Sequence, residues 1–245
     1  RRLTPEGYRL IWQMRHAVED RYIRLGLVMS GGLSLTWLER ELGEHEHRLA
    51  EDAGRDPFEV LIERAAASTP GARGLLFLPF LEGAATPFQE PELRAAFLGL
   101  ASSHRKGDLV QAVLEGVAYN VRDSVALFEQ LGSEVREVRL SEGGSRSDAW
   151  CQIIADVLQR PVVTLHELDA SALGAAMIAM AGTGGHAGSR GDLASVVAAV
   201  VRTQAGRAFE PRGELAPIYD ASYARYHSAV EHLLAWVHGR DEGAD

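Results

Sequence analysis

Two adjacent glycines between an apolar run and a helical pattern form the part of this chain best suited to ligand binding. The apolar run that ends at Leu140 is typical of a strand, and Gly143 and Gly144 follow as a tight turn. Ser147 or Asp148 can then cap a helix. Glycines let a ligand approach the backbone, and the free N–H groups at a helix start favour an anion such as a phosphate. Taken alone, such a turn slightly favours a purely structural connection.

The helix after this turn carries its apolar residues on one face, which indicates that it packs against a sheet or core. These residues are Trp150, Ile153, Ile154, Val157 and Leu158. Cys151 is the one cysteine of the chain, and no histidine lies beside it at a motif-like spacing. We therefore expect a packing thiol rather than a nucleophile, in a reducing compartment.

A second strand–glycine–helix turn occurs at Ser30–Gly31–Gly32, after a predicted strand from Tyr22 to Val28. Ser34 can cap the short helix that follows. This turn could also approach a ligand, but an isolated SGG favours a structural role.

Histidines and acidic residues between Glu44 and Asp56 raise the question of a metal site. His45, Glu46 and His47 could chelate a metal in principle. However, residues two apart do not share a helical face, and no third ligand is evident. The sequence therefore predicts a solvated loop here and no metal ligand.

Strands and helices alternate along the rest of the chain, which indicates an α/β layered fold. Helices are predicted from Thr4–Pro5 through Val18, after Asp56–Pro57, from Gly107 to Leu131, from Asp169 or Ser171, from Leu193 to Val201, and from Tyr219 to Val237; strands are predicted at Leu75–Phe80 and Pro161–Leu165. Gly116 interrupts the long helix at a cost of about 1 kcal/mol relative to alanine. Its presence predicts close packing of another backbone.

Composition restricts the class of partner. The formal net charge of -9 argues against nucleic acid or an anionic membrane as the main partner. No apolar run approaches the roughly 20 residues that span a bilayer, and no signal peptide is visible. We therefore expect a cytoplasmic globular protein with no membrane partner.

Several ordered motifs resemble the C-terminal domain of the FGGY carbohydrate kinases, most closely the xylulokinase-like members. The main block is GGSRSDAWCQIIADVLQRPV, followed by ASALGAAMIA. A second block, FLPFLEGAATPFQEPELRAAFLGL with LVQAVLEGVAYNVRDSV, resembles the family's Gly-Glu-Arg-Thr-Pro loop and following helix, and LVMSGGLSLTWL resembles its first helix entrance. The order and spacing of these blocks identify residues 22–238 as this domain, with residues 1–21 unaligned and residues 239–245 as a tail.

The resemblance implies an actin-like ATPase, ribonuclease-H-like domain with a mixed sheet flanked by helices. ATP, with Mg²⁺, would lie in a cleft between two such domains. Gly143, Gly144 and Ser145 would present backbone N–H groups to the nucleotide, and Ser147 and Asp148 would lie near its ribose or base. A sugar or polyol substrate would be bound through an N-terminal domain.

Three positions in two motifs depart from the family pattern. Glu142 replaces the first glycine of the family's triplet, and its carboxylate would repel a triphosphate unless the side chain points away. Ala84 and Ala85 replace the Glu-Arg pair of the sugar-side loop, so any ion pair made by that arginine is absent.

No residue of this chain is a credible catalytic base. Helical surface charge accounts for Asp123 and Asp156, and neither Asp148 nor Asp169 is a better candidate. We therefore expect the nucleotide-binding half of a sugar kinase, inactive alone because the family's catalytic aspartate lies in the N-terminal domain. The alternative is a non-catalytic actin-fold binding or assembly module that forms homo-oligomers. A dinucleotide- or S-adenosylmethionine-binding enzyme is disfavoured because the G-x-G-x-x-G spacing is absent.

Overall fold

Helices and strands alternate along the chain in the computed structural model, which describes residues 11–167, 169–183 and 192–241. The strands are β1 (Trp12–Arg15), β2 (Tyr22–Leu25), β3 (Leu76–Leu78), β4 (Ala96–Leu98), β5 (Val138–Leu140), β6 (Val162–Leu165) and β7 (Thr203–Phe209). The α-helices are α1 (Gly31–Leu42), α2 (Glu44–Ala53), α3 (Pro57–Glu63), α4 (Lys106–Gln130), α5 (Asp148–Leu158), α6 (Ala170–Thr183), α7 (Leu193–Val200) and α8 (Ala216–Asp241).

A mixed three-stranded sheet in the order β5-β6-β7 supports the main glycine turn. β5 and β6 run parallel, with Val138 opposite Val162 and Leu140 opposite Thr164. β7 pairs with β6 in the antiparallel direction. Helix α5 connects the two parallel strands and buries its apolar face, as the sequence predicts. The glycine turn therefore lies at the carboxyl end of β5, where an α/β sheet commonly binds its ligands.

The N-terminal part of the described chain is a β-hairpin. Trp12 of β1 pairs with Leu25 of β2, and Arg15 pairs with Tyr22. The prediction of a helix through Val18 is therefore wrong in this part, while its proposed start at Thr4–Pro5 lies outside the described residues. The loose apolar spacing of the segment fits either state, and pairing with β2 decides between them.

The predicted loop from Glu44 to Asp56 is also wrong, because residues 44–53 form α2. Glu46 is buried on the inner face of this helix and accepts hydrogen bonds from Arg64 (2.9 Å) and Lys106 (2.7 Å). Burial acts to raise the pKa of Glu46, but the contact with Lys106 and the charges of both cations outweigh it and keep that pKa below its usual value.

Helix α4 lies at the centre of the molecule. It passes so close to β3 that a Cβ atom at Gly116 would collide with the carbonyl oxygen of Phe77. The predicted close packing at this glycine is therefore confirmed. Tyr219 and Tyr226 of α8 are fully buried in the same core. Among the described helices, none combines the length and hydropathy needed to cross a membrane.

Candidate functional site

The two glycine turns open on the same cavity, which has a volume of about 620 Å³. Gly31 and Gly32, at the start of α1, form one side of it. Gly143 and Gly144, before α5, form another. The fold therefore brings together two turns that are about 110 positions apart in the sequence.

Apolar side chains form most of the cavity wall. They come from α1, α3, α4, α5 and the end of β5, and comprise Leu35, Phe58, Ile62, Val113, Leu114, Val117, Leu140, Trp150 and Ile154. Polar lining is confined to Thr36, Asp56, Glu59, Arg146 and Ser147. An apolar cavity with a few polar groups is the usual form of a small-molecule or cofactor site.

Two of the glycines that line the cavity are not required by contact with neighbouring atoms. A Cβ atom added at Gly32 or Gly143 would have no neighbour within 4 Å, and neither residue has a positive φ. At Gly144, by contrast, the added atom would be 3.4 Å from Trp150 Nε1. The absence of side chains at Gly32 and Gly143 therefore leaves the cavity open at its two glycine walls.

Both glycine turns present a helix N-terminus, but the two are capped differently. Ser147 caps α5, with its hydroxyl accepting a hydrogen bond from the Trp150 N–H at 3.3 Å. Ser30 makes no such side-chain bond at the start of α1. Its hydroxyl oxygen instead accepts a hydrogen bond from the Glu82 N–H. The first N–H groups of α1 are thus left without a cap from Ser30, and an anion in the cavity could accept from them.

Three of the five predicted contact residues line the cavity, namely Gly143, Gly144 and Ser147. Ser145 and Asp148 do not. The buried Ser145 hydroxyl donates to the carbonyl oxygen of Glu142 at 2.8 Å. Asp148 accepts two hydrogen bonds from Arg207 of β7. Ser145 and Asp148 therefore hold the shape of the turn instead of bordering the cavity.

Glu142 adopts a backbone conformation that favours glycine, with φ 59° and ψ −157°. Its side chain is exposed and is not among the residues that line the cavity. The Glu142 carboxylate thus does not border the cavity.

Trp150, Gln152 and Asp156 form a polar and aromatic motif of α5, and its two polar members secure the chain that follows β7. Asp156 is fully buried and accepts hydrogen bonds from the Arg212 side chain (2.6 and 3.0 Å) and backbone N–H (2.8 Å). Gln152 donates to Asp156 and to the carbonyl oxygen of Glu210. Of this motif, Trp150 alone contacts the cavity.

The other acidic residues considered as bases also have structural partners, and the explanation of Asp123 and Asp156 as helical surface charge is wrong, because both are buried. Asp123 is buried, accepts from Tyr223 at 2.7 Å, and lies 2.8 Å from His227 Nε2. That hydrogen bond raises the pKa of His227. Asp169 caps α6 by accepting from the Ala172 N–H. Cys151 is buried, and burial raises the pKa of its thiol to about 11, as suits a packing role.

Comparison with known proteins shows the family of this chain. The C-terminal domain of the FGGY family of carbohydrate kinases matches residues 13–183. This chain belongs to that family. The FGGY domain is 32% identical over 211 residues to xylulose kinase from Staphylococcus epidermidis, covering 86% of this chain and 39% of that enzyme. It is 36% identical over 167 residues to gluconokinase from Bacillus licheniformis, covering 68% and 33% respectively.

The solved structures agree on the fold. The crystal structure of xylulose kinase from Rhodospirillum rubrum superposes with a TM-score of 0.71 at 32% identity, over 93% of this chain and 43% of that one. The domain therefore has the actin-like ATPase fold of these kinases, with a mixed sheet flanked by helices. It spans about two fifths of the length of such relatives.

Gly31 and Gly32 line the cavity although the sequence favours a structural role for their turn, and sequence reasoning missed Thr36 and Arg207. Gly31 and Gly32 carry a visible signal, because their turn repeats the pattern of the main one. Thr36 lies one helical turn after Gly32 on α1. Arg207 carries no such signal, because it lies on a strand that the sequence does not predict. Within the described ranges, no group of three or more metal-binding side chains occurs.

Proposed function

We propose that this FGGY domain is the nucleotide-binding half of an ATP-dependent kinase that phosphorylates a sugar or polyol hydroxyl. The observation that carries the proposal is the cavity between the two glycine turns. Its apolar walls suit a purine base, and two helix starts supply N–H groups for phosphates. Mg²⁺ would be bound mainly through the phosphates and water, as it usually is.

Within this cavity we assign different roles to the predicted residues. Gly143 and Gly144 would contact the nucleotide through their backbone, and Ser147 would lie beside it. Gly32 would play the same part on the opposite wall. Ser145 and Asp148 would act indirectly, since both are engaged in hydrogen bonds that shape the turn.

The transfer step needs a carboxylate that accepts the proton of the substrate hydroxyl. Each aspartate considered for this role is held by other groups: Asp123 by Tyr223 and His227, Asp148 by Arg207, Asp156 by Arg212, and Asp169 by the start of α6. The base and the sugar site would therefore come from another domain, and this chain alone would not catalyse phosphorylation. ADP release measured with MgATP and a panel of ketoses and polyols tests this; steady release stimulated by one sugar contradicts it.

Nucleotide binding is tested directly by calorimetry with MgADP and MgATP. A Cβ atom at Gly143 would meet no protein atom within 4 Å, and Gly143 lines the cavity, so Gly143→Val should abolish binding while the fold persists. Gly213→Val is a matched control, because a Cβ there is equally unhindered and Gly213 lies outside the cavity. Equal binding by both variants would contradict the assignment of the cavity.

A second function, as an assembly module, is favoured by one surface. Trp12, Met14 and Leu25 share a face of the β1–β2 hairpin, and Trp12 is 68% exposed. Contiguous exposed apolar patches of this kind are often protein contacts. Sedimentation at several concentrations separates the two functions. Self-association that Trp12→Ser abolishes, without nucleotide binding, favours assembly, whereas a strict monomer that binds MgATP counts against it.

A further inference from the structure

A single arginine on β7 holds the main glycine turn in place. Arg207 Nη2 donates to the carbonyl oxygens of Ser145 (2.8 Å) and Arg146 (3.3 Å). Nε and Nη2 also donate to Asp148 Oδ1, at 3.0 and 2.5 Å. One guanidinium thus joins two consecutive carbonyls of the turn to the first residue of α5, with the two N–H groups of Nη2 shared among three acceptors.

These contacts determine the direction of the backbone donors. In a trans peptide the C=O and the following N–H point in opposite directions. A guanidinium that draws the Arg146 carbonyl towards β7 therefore turns the Ser147 N–H to the other side of the turn. Arg146 and Ser147 both line the cavity, whereas Arg207 does not.

We infer that Arg207 is a positioning residue for the nucleotide: it orients the 143–148 turn through the Ser145 and Arg146 carbonyls and through Asp148. The inference rests on the proposed nucleotide-binding function. Arg207 lies beyond residue 183, where the match to the family domain ends, so the family motifs assign it no role. It also gives Asp148 a role as the carboxylate that anchors the guanidinium.

The chain supplies a matched control in Arg160. This arginine also spans elements, donating to the carbonyl oxygens of Val135 (3.0 Å) and Gln159 (2.9 Å) and to Glu129 (2.9 Å). Neither Arg160 nor its partners line the cavity. Each arginine donates to two backbone carbonyls and one carboxylate, and Arg207 donates in addition to Gln204 Oε1 at 3.1 Å, but of the two only Arg207 contacts the turn.

The test measures MgADP affinity by calorimetry for the parent chain and for Arg207→Ala, Arg207→Lys and Arg160→Ala. Loss of a preorganised turn should weaken the affinity of Arg207→Ala about tenfold. The affinity of Arg207→Lys should lie between those of Arg207→Ala and the parent, because lysine keeps the positive charge but lacks the planar guanidinium. Arg160→Ala should bind as the parent does. Unchanged affinity in Arg207→Ala, or an equal loss in Arg160→Ala, overturns the inference.

A second readout needs no nucleotide. Amide hydrogen exchange over residues 143–148 should be faster in Arg207→Ala than in the parent, and unchanged in Arg160→Ala. If the parent binds no MgADP, the proposed function fails, and the assignment of Arg207 to nucleotide binding fails with it. If the parent binds and exchange in the turn is the same in all variants, only the assignment of Arg207 fails.

Discussion

At the scale of single residues, Glu142 adopts a backbone conformation that favours glycine. Its φ of 59° combined with ψ of −157° is a region that residues other than glycine rarely occupy. Glu142→Gly should therefore raise the free energy of unfolding by about 1 kcal/mol, the lower end of such strain. Denaturant unfolding measures it. Glu142→Ala is the control, because alanine keeps the Cβ atom while removing the charge. An equal gain in both variants would assign the effect to the carboxylate instead.

Glu115 makes stability depend on pH. It is buried on α4, where its Oε1 accepts from the Gly71 N–H and from Gln111. Burial raises the pKa of Glu115 to about 7 from 4.5. Between these values the folded state holds more protons than the unfolded state, so the stability contribution of Glu115 is present below pH 4.5 and is lost as the pH rises towards 7.

Glu115→Gln should abolish this decline, because the amide keeps an acceptor oxygen but does not ionise. Above pH 7 the variant should exceed the parent by on the order of 2 kcal/mol in free energy of unfolding. Urea unfolding of both proteins from pH 4 to 8 measures the difference. Parallel pH profiles would show that Glu115 does not titrate in this range.

Local sequence patterns predict some residues of the turn and its support but not others. The glycines and Ser147 follow from local pattern, because cap and turn chemistry are local. Arg207 does not, because its role depends on hydrogen bonds to residues 59 and 62 positions earlier.

At the scale of elements, the crossing of α4 and β3 depends on a missing side chain. Gly116→Ala would improve helix propensity, but its Cβ would collide with the Phe77 carbonyl. We expect a net loss of about 2 kcal/mol in the free energy of unfolding, because a backbone contact cannot adjust as a side chain does. Thermal and denaturant unfolding measure it.

Gly174→Ala in α6 is the control for Gly116→Ala. An added Cβ there has no neighbour within 4 Å, so the same substitution should leave stability unchanged or raise it by up to about 1 kcal/mol. Losses of similar size in both helices would show that the crossing at Gly116 is not the cause.

The elements that sequence patterns predict are those whose buried faces are apolar. Helices α3, α4 and α5 and strands β3 and β6 follow from periodicity and turn signals. α2 is missed because its buried face consists of Glu46 and Ala50, stabilised by ion pairs from elsewhere. β7 is missed because Thr203–Phe209 is rich in small and polar residues and forms a strand by pairing with β6.

At the scale of the whole molecule, nucleotide binding should appear as thermal stability. A ligand that binds only the folded state at a hundredfold excess over its Kd adds about 2.7 kcal/mol. For a chain of this size that raises the Tm by about 5–10 °C. Differential scanning calorimetry across MgADP concentrations measures the shift. Gly143→Val should keep the Tm of the ligand-free parent and show no shift. A shift of equal size in that variant would mean that MgADP binds elsewhere.

The position of Arg207 in the chain also has a consequence for synthesis. A ribosome releases the 143–148 turn and α5 well before β7, which pairs with β6 only when Thr203–Phe209 has emerged. Until then the turn has its glycines but no guanidinium on its carbonyls. The nascent polypeptide therefore carries the glycine motif before Arg207 can hold the turn, and a fragment cut at residue 183 would keep the motif without that arginine.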